Sequence, residues 1–238
     1  MSRVVTLSLF FTRDLFRSLW GVVPPALGVV LYWLTFYYAG TVDYFAAVGG
    51  MDLALVCLVT TLLLADRANR ATTYPLLARL PHRGELLAAI AGSALCVTIP
   101  LAIVFAIVAQ SLGVVQITLP EALIIAPRWL AFFVLVTTIG LHLSRLASRG
   151  GSYLMAYLLL GLSLTVSEQQ RLLGPELGWV PQTINVVTGP IAHLAASPVT
   201  PWEPGQFLLA LGVTSAYSGL LFALALWLFR RKNLMWAE

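Results

Sequence analysis

The chain has 238 residues, of which 59% are hydrophobic and 10% charged, against about 25% charged in an ordinary soluble domain. With a mean hydropathy of +0.88 it lacks the polar surface that a water-soluble fold of this size needs, which makes a bilayer its natural solvent. The net charge of +4 comes from 13 arginines and one lysine, Lys232; a Gly-x-x-x-x-Gly-Lys phosphate loop needs a lysine directly after its glycines, so the chain is not a P-loop ATPase.

Residues 1–19 form the first element. On a helix of ~100° per residue, Arg3, Thr6, Arg13, Asp14 and Arg17 share roughly one 100° arc, with Phe10 intruding. Val4, Leu9, Phe11, Phe16 and Trp20 cover much of the rest. This pattern predicts an amphipathic helix lying flat on the cytoplasmic leaflet, the alternative being a long first span with a frayed end. It is not a cleavable signal, because Arg13, Asp14 and Arg17 break its apolar stretch and no small-residue cleavage site follows. Pro24-Pro25 opens the next helix, where a missing N–H costs little.

A helix crossing the hydrocarbon needs about 20 mostly apolar residues. Six segments offer this: 20–39, 45–65, 86–109, 124–143, 151–167 and 206–229. The loops then alternate between two sides. One side holds Arg3, Arg13, Arg17, Arg67, Arg70, Arg79, Arg83, Arg145, Arg149, Arg230, Arg231 and Lys232, which is 12 of the 14 basic residues. Arg128 and Arg171 fall on the other. Lys and Arg are retained in the cytoplasm during insertion, so both termini are expected there. The expected architecture is all-α: one polytopic transmembrane domain over 1–238, with six transmembrane helices and both ends on the cytoplasmic side of the inner membrane.

Two connecting segments carry more than topology. Within 66–85, Pro75 and Pro81 bracket a short stretch in which Leu76, Leu77 and Leu80 make an apolar face among arginines. It reads either as a knob for another protein or as a helix resting on the membrane interface. Between the fifth and sixth spans, residues 168–205 hold six of the 13 prolines yet remain apolar, with Leu172, Trp179, Ile184, Val187 and Ile191 among them. More apolar than most exposed loops and too broken for a span, the segment reads either as a pair of short re-entrant helices dipping into the outer leaflet or as an ordinary outer loop.

Single residues add little chemistry. Asp52 falls in the outer half of the second span and Arg128 near the outer end of the fourth. A charge at the bilayer centre costs roughly 2.5–3.5 kcal/mol. The two are read either as hydrated interfacial groups or as residues that pair with each other or line a pathway. His82, His142 and His193 are too scattered for a metal site. Cys57 and Cys96 sit in apolar runs and read as small buried hydrophobes. Gly151-Ser152-Tyr153 lacks the second small residue of an intramembrane serine protease motif. Trp20, Trp33, Tyr37, Tyr38, Trp129, Trp179, Trp202 and Trp227 read as an aromatic belt at the two interfaces. No nucleic-acid-binding pattern, metal site or cofactor site is expected in this chain, and no catalytic group.

Taken together, these features resemble the permease subunits of type-2 (exporter) ABC transporters. The likeness spans nearly the whole chain: the amphipathic segment before the first span, Asp66-Arg67 with Leu76-Leu77 and Pro81-His82-Arg83-Gly84-Glu85-Leu86-Leu87 after the second, the proline-broken region 168–205, and the basic end Arg230-Arg231-Lys232. Thr72-Thr73-Tyr74-Pro75 stands where the family usually has Gly-Thr-x-Glu. The resemblance implies a coupling helix at about 67–81 that docks on a separate cytoplasmic ATPase subunit, the chain that would bind ATP and Mg. Arg67, Arg70, Leu76, Leu77, Arg79, Leu80, Arg83 and Glu85 would make that contact. It also implies a second permease subunit, identical or similar, and a hydrophobic or amphipathic exported substrate. The alternative from another class is a membrane scaffold or assembly subunit without transport.

Overall fold

A computed structural model describes residues 3–36, 40–69, 84–144, 199 and 203–231. The expected fifth span at 151–167, nearly all of 168–205 and residues 70–83 of the 66–85 segment lie outside the described residues. Every regular element among the described residues is helical. They are α1 (Arg3–Phe16), a 3-10 turn (Leu19–Val22) leading into α2 (Val23–Thr35), α3 (Val42–Ala68), α4 (Gly84–Ser111), α5 (Leu119–Leu143) and α6 (Pro204–Arg231).

Helices α3 to α6 are each long and apolar enough to cross a membrane. A fifth span is obtained if α1 and the Leu19–Thr35 helix count as one, but these two meet at 92°. The break follows from the sequence: Ser18 is extended, and Pro24-Pro25 occupy the opening of α2 without an N–H to lose. The helices also run past the expected bounds. The Thr41 side chain accepts from Tyr44 N–H and starts α3 at Val42 rather than 45. Helix α5 starts at Leu119 rather than 124, because Thr118 and Glu121 form a capping box with Pro120 in the first turn.

The core is the parallel pair α3 and α5, each with 61% of its most apolar window buried, against 22% for α6. Chain direction alternates, so the bundle has two ends. One carries Asp14, Arg67, Gly84 and Leu143; the other carries Asp43, Ser111 and Glu121. Near the Asp43 end, α3 is interrupted by a π turn, Phe45–Gly49. Here Tyr32, Phe36, Phe45, Phe105 and Trp129 form one cluster, with neighbouring ring centroids from 5.2 to 6.5 Å apart. A Cβ on Gly50 would lie 2.7 Å from the Trp129 ring, so only glycine admits the indole there. The Trp129 Nε1–H donates to the Ala46 carbonyl at 2.9 Å. Trp129 is therefore a buried core residue and not part of an aromatic belt; Trp20, Trp33 and Trp227 stand exposed.

Helix α1 divides into three faces. Leu7, Ser8, Phe11 and Leu15 are buried against the protein. Val5, Leu9 and Phe16 make an exposed apolar face. Arg3, Thr6, Arg13, Asp14 and Arg17 make an exposed polar one. The buried face packs on α4 where small residues permit close approach. Ser8 Oγ–H donates to the Ala89 carbonyl at 3.1 Å, and Ser93 Oγ lies 2.9 Å from the Ser8 carbonyl and 2.7 Å from that of Ala89. A Cβ on Gly92 would lie 2.6 Å from Ser8 Oγ and 3.5 Å from Ser8 Cβ.

That last distance is within the range of disulfide-bonded Cβ pairs, about 3.5–4.5 Å. A Ser8→Cys/Gly92→Cys variant, with Cys57 and Cys96 replaced by Ser, is expected to cross-link under mild oxidation. Intact-mass loss of two hydrogens checks this; a Thr6→Cys/Gly92→Cys control, with residue 6 on the exposed face, is expected to stay reduced.

Candidate functional site

Of the residues expected to meet a partner, Arg67 and Glu85 are described; Arg70, Leu76, Leu77, Arg79, Leu80 and Arg83 lie outside the described residues. The two described ones sit where the 66–85 segment leaves α3 and enters α4. Arg67 turns back onto α1: its Nη1 donates to the Asp14 carbonyl at 2.8 Å and to the Asp14 carboxylate at 2.6 Å. The arginine side chain is 10% exposed and the aspartate 52%. One guanidinium nitrogen thus closes the end of α1, donating to both its backbone and its side chain.

Glu85 lies in the first turn of α4, where a negative charge faces the positive end of the helix dipole. Its Oε2 is buried without a hydrogen-bond partner among the described residues. Next to it, Gly84 lies against Leu226 of α6, whose Cδ2 would be 3.0 Å from an added Cβ. The entry and exit of the segment are therefore tied to α1 and abut α6.

Asp52 and Arg128 have different surroundings. Asp52 is half-buried, and its carboxyl meets the Thr35 hydroxyl of α2 at 2.5 Å. Thr35 also bonds back to the Leu31 carbonyl, and its own carbonyl accepts from Tyr44 Oη at 3.2 Å. Arg128 is fully buried. Its guanidinium carbon lies 5.9 Å from the centroid of the Phe207 ring on α6, and the acidic charge that acts on it is Asp43. Asp43 in turn accepts from the Val199 N–H at 2.6 Å. Sequence reading missed Asp43 and Phe207. A cation-to-ring contact between two helices leaves no mark on local hydropathy, and Asp43 sits where any acidic residue could face water.

Two apolar cavities flank α5. One, of about 760 Å3, runs between α4 and α5 past Ile103, Ile107, Ile125 and Phe133, with Gln110 and Thr118 at the Asp43 end. The other, of about 520 Å3, lies between α4, α5 and α6, with Leu95, Leu130 and Val134 facing Ser215 and Ser218. Cys57 is buried with its Sγ 3.2 Å from Thr137 Oγ1, whereas Cys96 is exposed on α4, unlike the buried position expected for it. His142 Nε2 lies 2.8 Å from the Leu221 carbonyl and links α5 to α6. Among the described residues, no three His, Cys, Asp or Glu side chains gather as metal ligands would.

No protein-family model, curated protein or solved structure matches the chain.

The two arginines differ in burial, and their removal should differ accordingly. Arg128→Ala strips a buried cation from beside Asp43 and is expected to cost about 3–5 kcal/mol, the scale for breaking a buried charge interaction. The Arg67–Asp14 pair is half exposed, so its coupling in a double-mutant cycle is expected near 0.2–1 kcal/mol. Thermal unfolding of the purified variants in one detergent checks the order.

Proposed function

We propose that this chain is the membrane-spanning permease subunit of an ATP-binding-cassette exporter. Six transmembrane helices place both termini in the cytoplasm, and α1 lies in the cytoplasmic leaflet of the inner membrane. The segment at about 67–81 docks on a separate ATPase subunit, which supplies ATP and Mg. Two permease subunits face each other around the pathway, and 168–205 forms re-entrant helices at its outer end. The 12-to-2 partition of basic residues supports the orientation. The three faces of α1 suit a helix with protein on one side, lipid on the second and water on the third.

The observation that best supports a coupling role is the Arg67 clamp. A push on the 66–85 segment would enter α3 at Arg67 and pass at once to Asp14 of α1. From there the Ser8–Ala89–Ser93 contacts carry it into α4. Three helices would then move as one body when the ATPase pair closes on ATP, a rigid-body switch of the kind used in many transporters. The apolar linings of both cavities suit a hydrophobic or amphipathic cargo better than a small ion.

A pull-down in mild detergent tests this reading. The wild type is expected to bring down an ATPase with a Walker-type sequence, and Leu76→Asp/Leu77→Asp to lose it while remaining monodisperse. Absence of any ATPase from the wild-type sample would favour the scaffold role. Equal capture by both forms would dismiss the coupling helix.

A further inference from the structure

Helix α3 is buried on most sides. From Val48 in the π turn towards the Arg67 end, its half-buried positions fall in one stripe: Val48, Met51, Asp52, Leu55, Val59 and Leu63. The positions between them are buried. Asp52 is the charged residue of this otherwise apolar stripe, about 15 Å along the helix from its start at Val42, at 1.5 Å per residue. An ionised carboxylate only accepts, and it has about four sites to fill. Thr35 is the hydrogen-bonding side chain that acts on the Asp52 carboxyl, and among the described residues no charged side chain contributes. Among the elements packed around it, α2 carries no charged residue and α4 carries Glu85 at the far end; α5 carries Arg128, whose acidic neighbour is Asp43, Glu121, which accepts from Thr118, and His142, which meets the Leu221 carbonyl of α6. Tyr44 reaches the Thr35 carbonyl rather than Asp52.

The Thr35 hydroxyl has one proton and two oxygens within bonding reach, the Leu31 carbonyl and Asp52 Oδ2. With Asp52 ionised, only one of the two contacts can be a hydrogen bond. With Asp52 protonated both are: Asp52 O–H donates to Thr35 Oγ1, and Thr35 O–H donates to Leu31. A proton on Asp52 completes the chain and removes the charge from an apolar setting.

We propose that Asp52 is the recognition group for a cationic amphipathic substrate and that it exchanges its proton for that cation. This rests on the permease reading and names its substrate class. The neutral acid and the free cation become a carboxylate–cation pair and one released proton; the Thr35 O–H swings from Leu31 to the new carboxylate. The apolar stripe holds the body of the substrate. A bare metal ion fits poorly, because hard cations take six or more oxygens and this stripe offers one carboxyl and one hydroxyl.

The test uses the purified full chain in nanodiscs, with empty nanodiscs subtracted, and two probes of the same shape and opposite charge, tetraphenylphosphonium and tetraphenylborate. Calorimetry in buffers of different ionisation enthalpy counts protons. Saturable binding of the cation with release of about one proton is expected at a pH where the free acid is protonated, with the borate binding no better than to empty discs. Asp52→Asn, which keeps an oxygen and an amide for Thr35, is expected to weaken cation binding at least tenfold and abolish proton release. Equal binding of both probes, cation binding without proton release, or an unchanged affinity in Asp52→Asn would each overturn the proposal. Should that variant not fold, the proton count on the wild type and an Asp52→Glu variant that retains binding decide it. The assay contains no ATPase, so its failure leaves the permease reading standing, and a failed ATPase pull-down does not bear on cation binding.

Discussion

The seating of Trp129 against Gly50 is the contact on which the arrangement of the other helices depends. An indole can approach the α3 backbone only because residue 50 has no Cβ. The π turn just before it contributes the other half. Gly50 N–H reaches the Ala47 carbonyl, and the Ala46 carbonyl takes the indole N–H. A wide turn inside an α-helix is locally unfavourable and is commonly found at functional positions. Here it re-aims α3 one turn before Asp52, brings α5 close, and gathers the aromatic rings of α2 and α4 around the joint. The depth and facing of Asp52 follow from that joint rather than from its own interactions.

At the opposite end, close approach is achieved with hydroxyls. Helices can associate closely through packing and through small polar groups that bridge backbones. Ser8, Gly92 and Ser93 do this between α1 and α4. The Arg67 fork adds a charged tie at the rim, where water lowers its energetic worth but not its directionality. Helix α1 is held by shape in its middle and by charge at its end. That combination gives it one position on the bundle despite a surface that is largely exposed.

How much of this could be read in advance follows from what each feature depends on. Apolar length is a property of a segment alone, and the spans at 45–65, 86–109, 124–143 and 206–229 match α3, α4, α5 and α6 to within a few residues. The polar arc of α1 is equally local. Which of its apolar residues would dock was not legible: Phe11 turns inward while Leu9 and Phe16 stay exposed, because the choice is made by the Gly92 surface of another helix. The Thr118-x-x-Glu121 signal was present in the sequence and would have moved the start of α5 to its proper place. Arg128 and Trp129 read as interfacial because hydropathy weighs a residue against lipid or water. Both are solvated by other side chains, Phe207 in one case and the aromatic cluster in the other. For the candidate site, the acidic residue at 52 was visible, but its hydroxyl partner was not, since Thr35 lies on a different span.

The burial of Arg128 beneath Phe207 has a bearing on biogenesis. The chain is made from its N-terminus, so Asp43 is in place before Arg128 emerges, whereas Phe207 is added later. At about 5–20 residues per second, that interval lasts several seconds. During it, α5 sits in the membrane with a guanidinium that lacks one of its eventual covers. Phe207 on α6 is therefore a late contact, and its arrival adds a cover to a guanidinium that the folded chain buries. A chain truncated before α6 would keep the influence of Asp43 on Arg128 and lose the Phe207 ring, leaving a buried cation with one cover fewer.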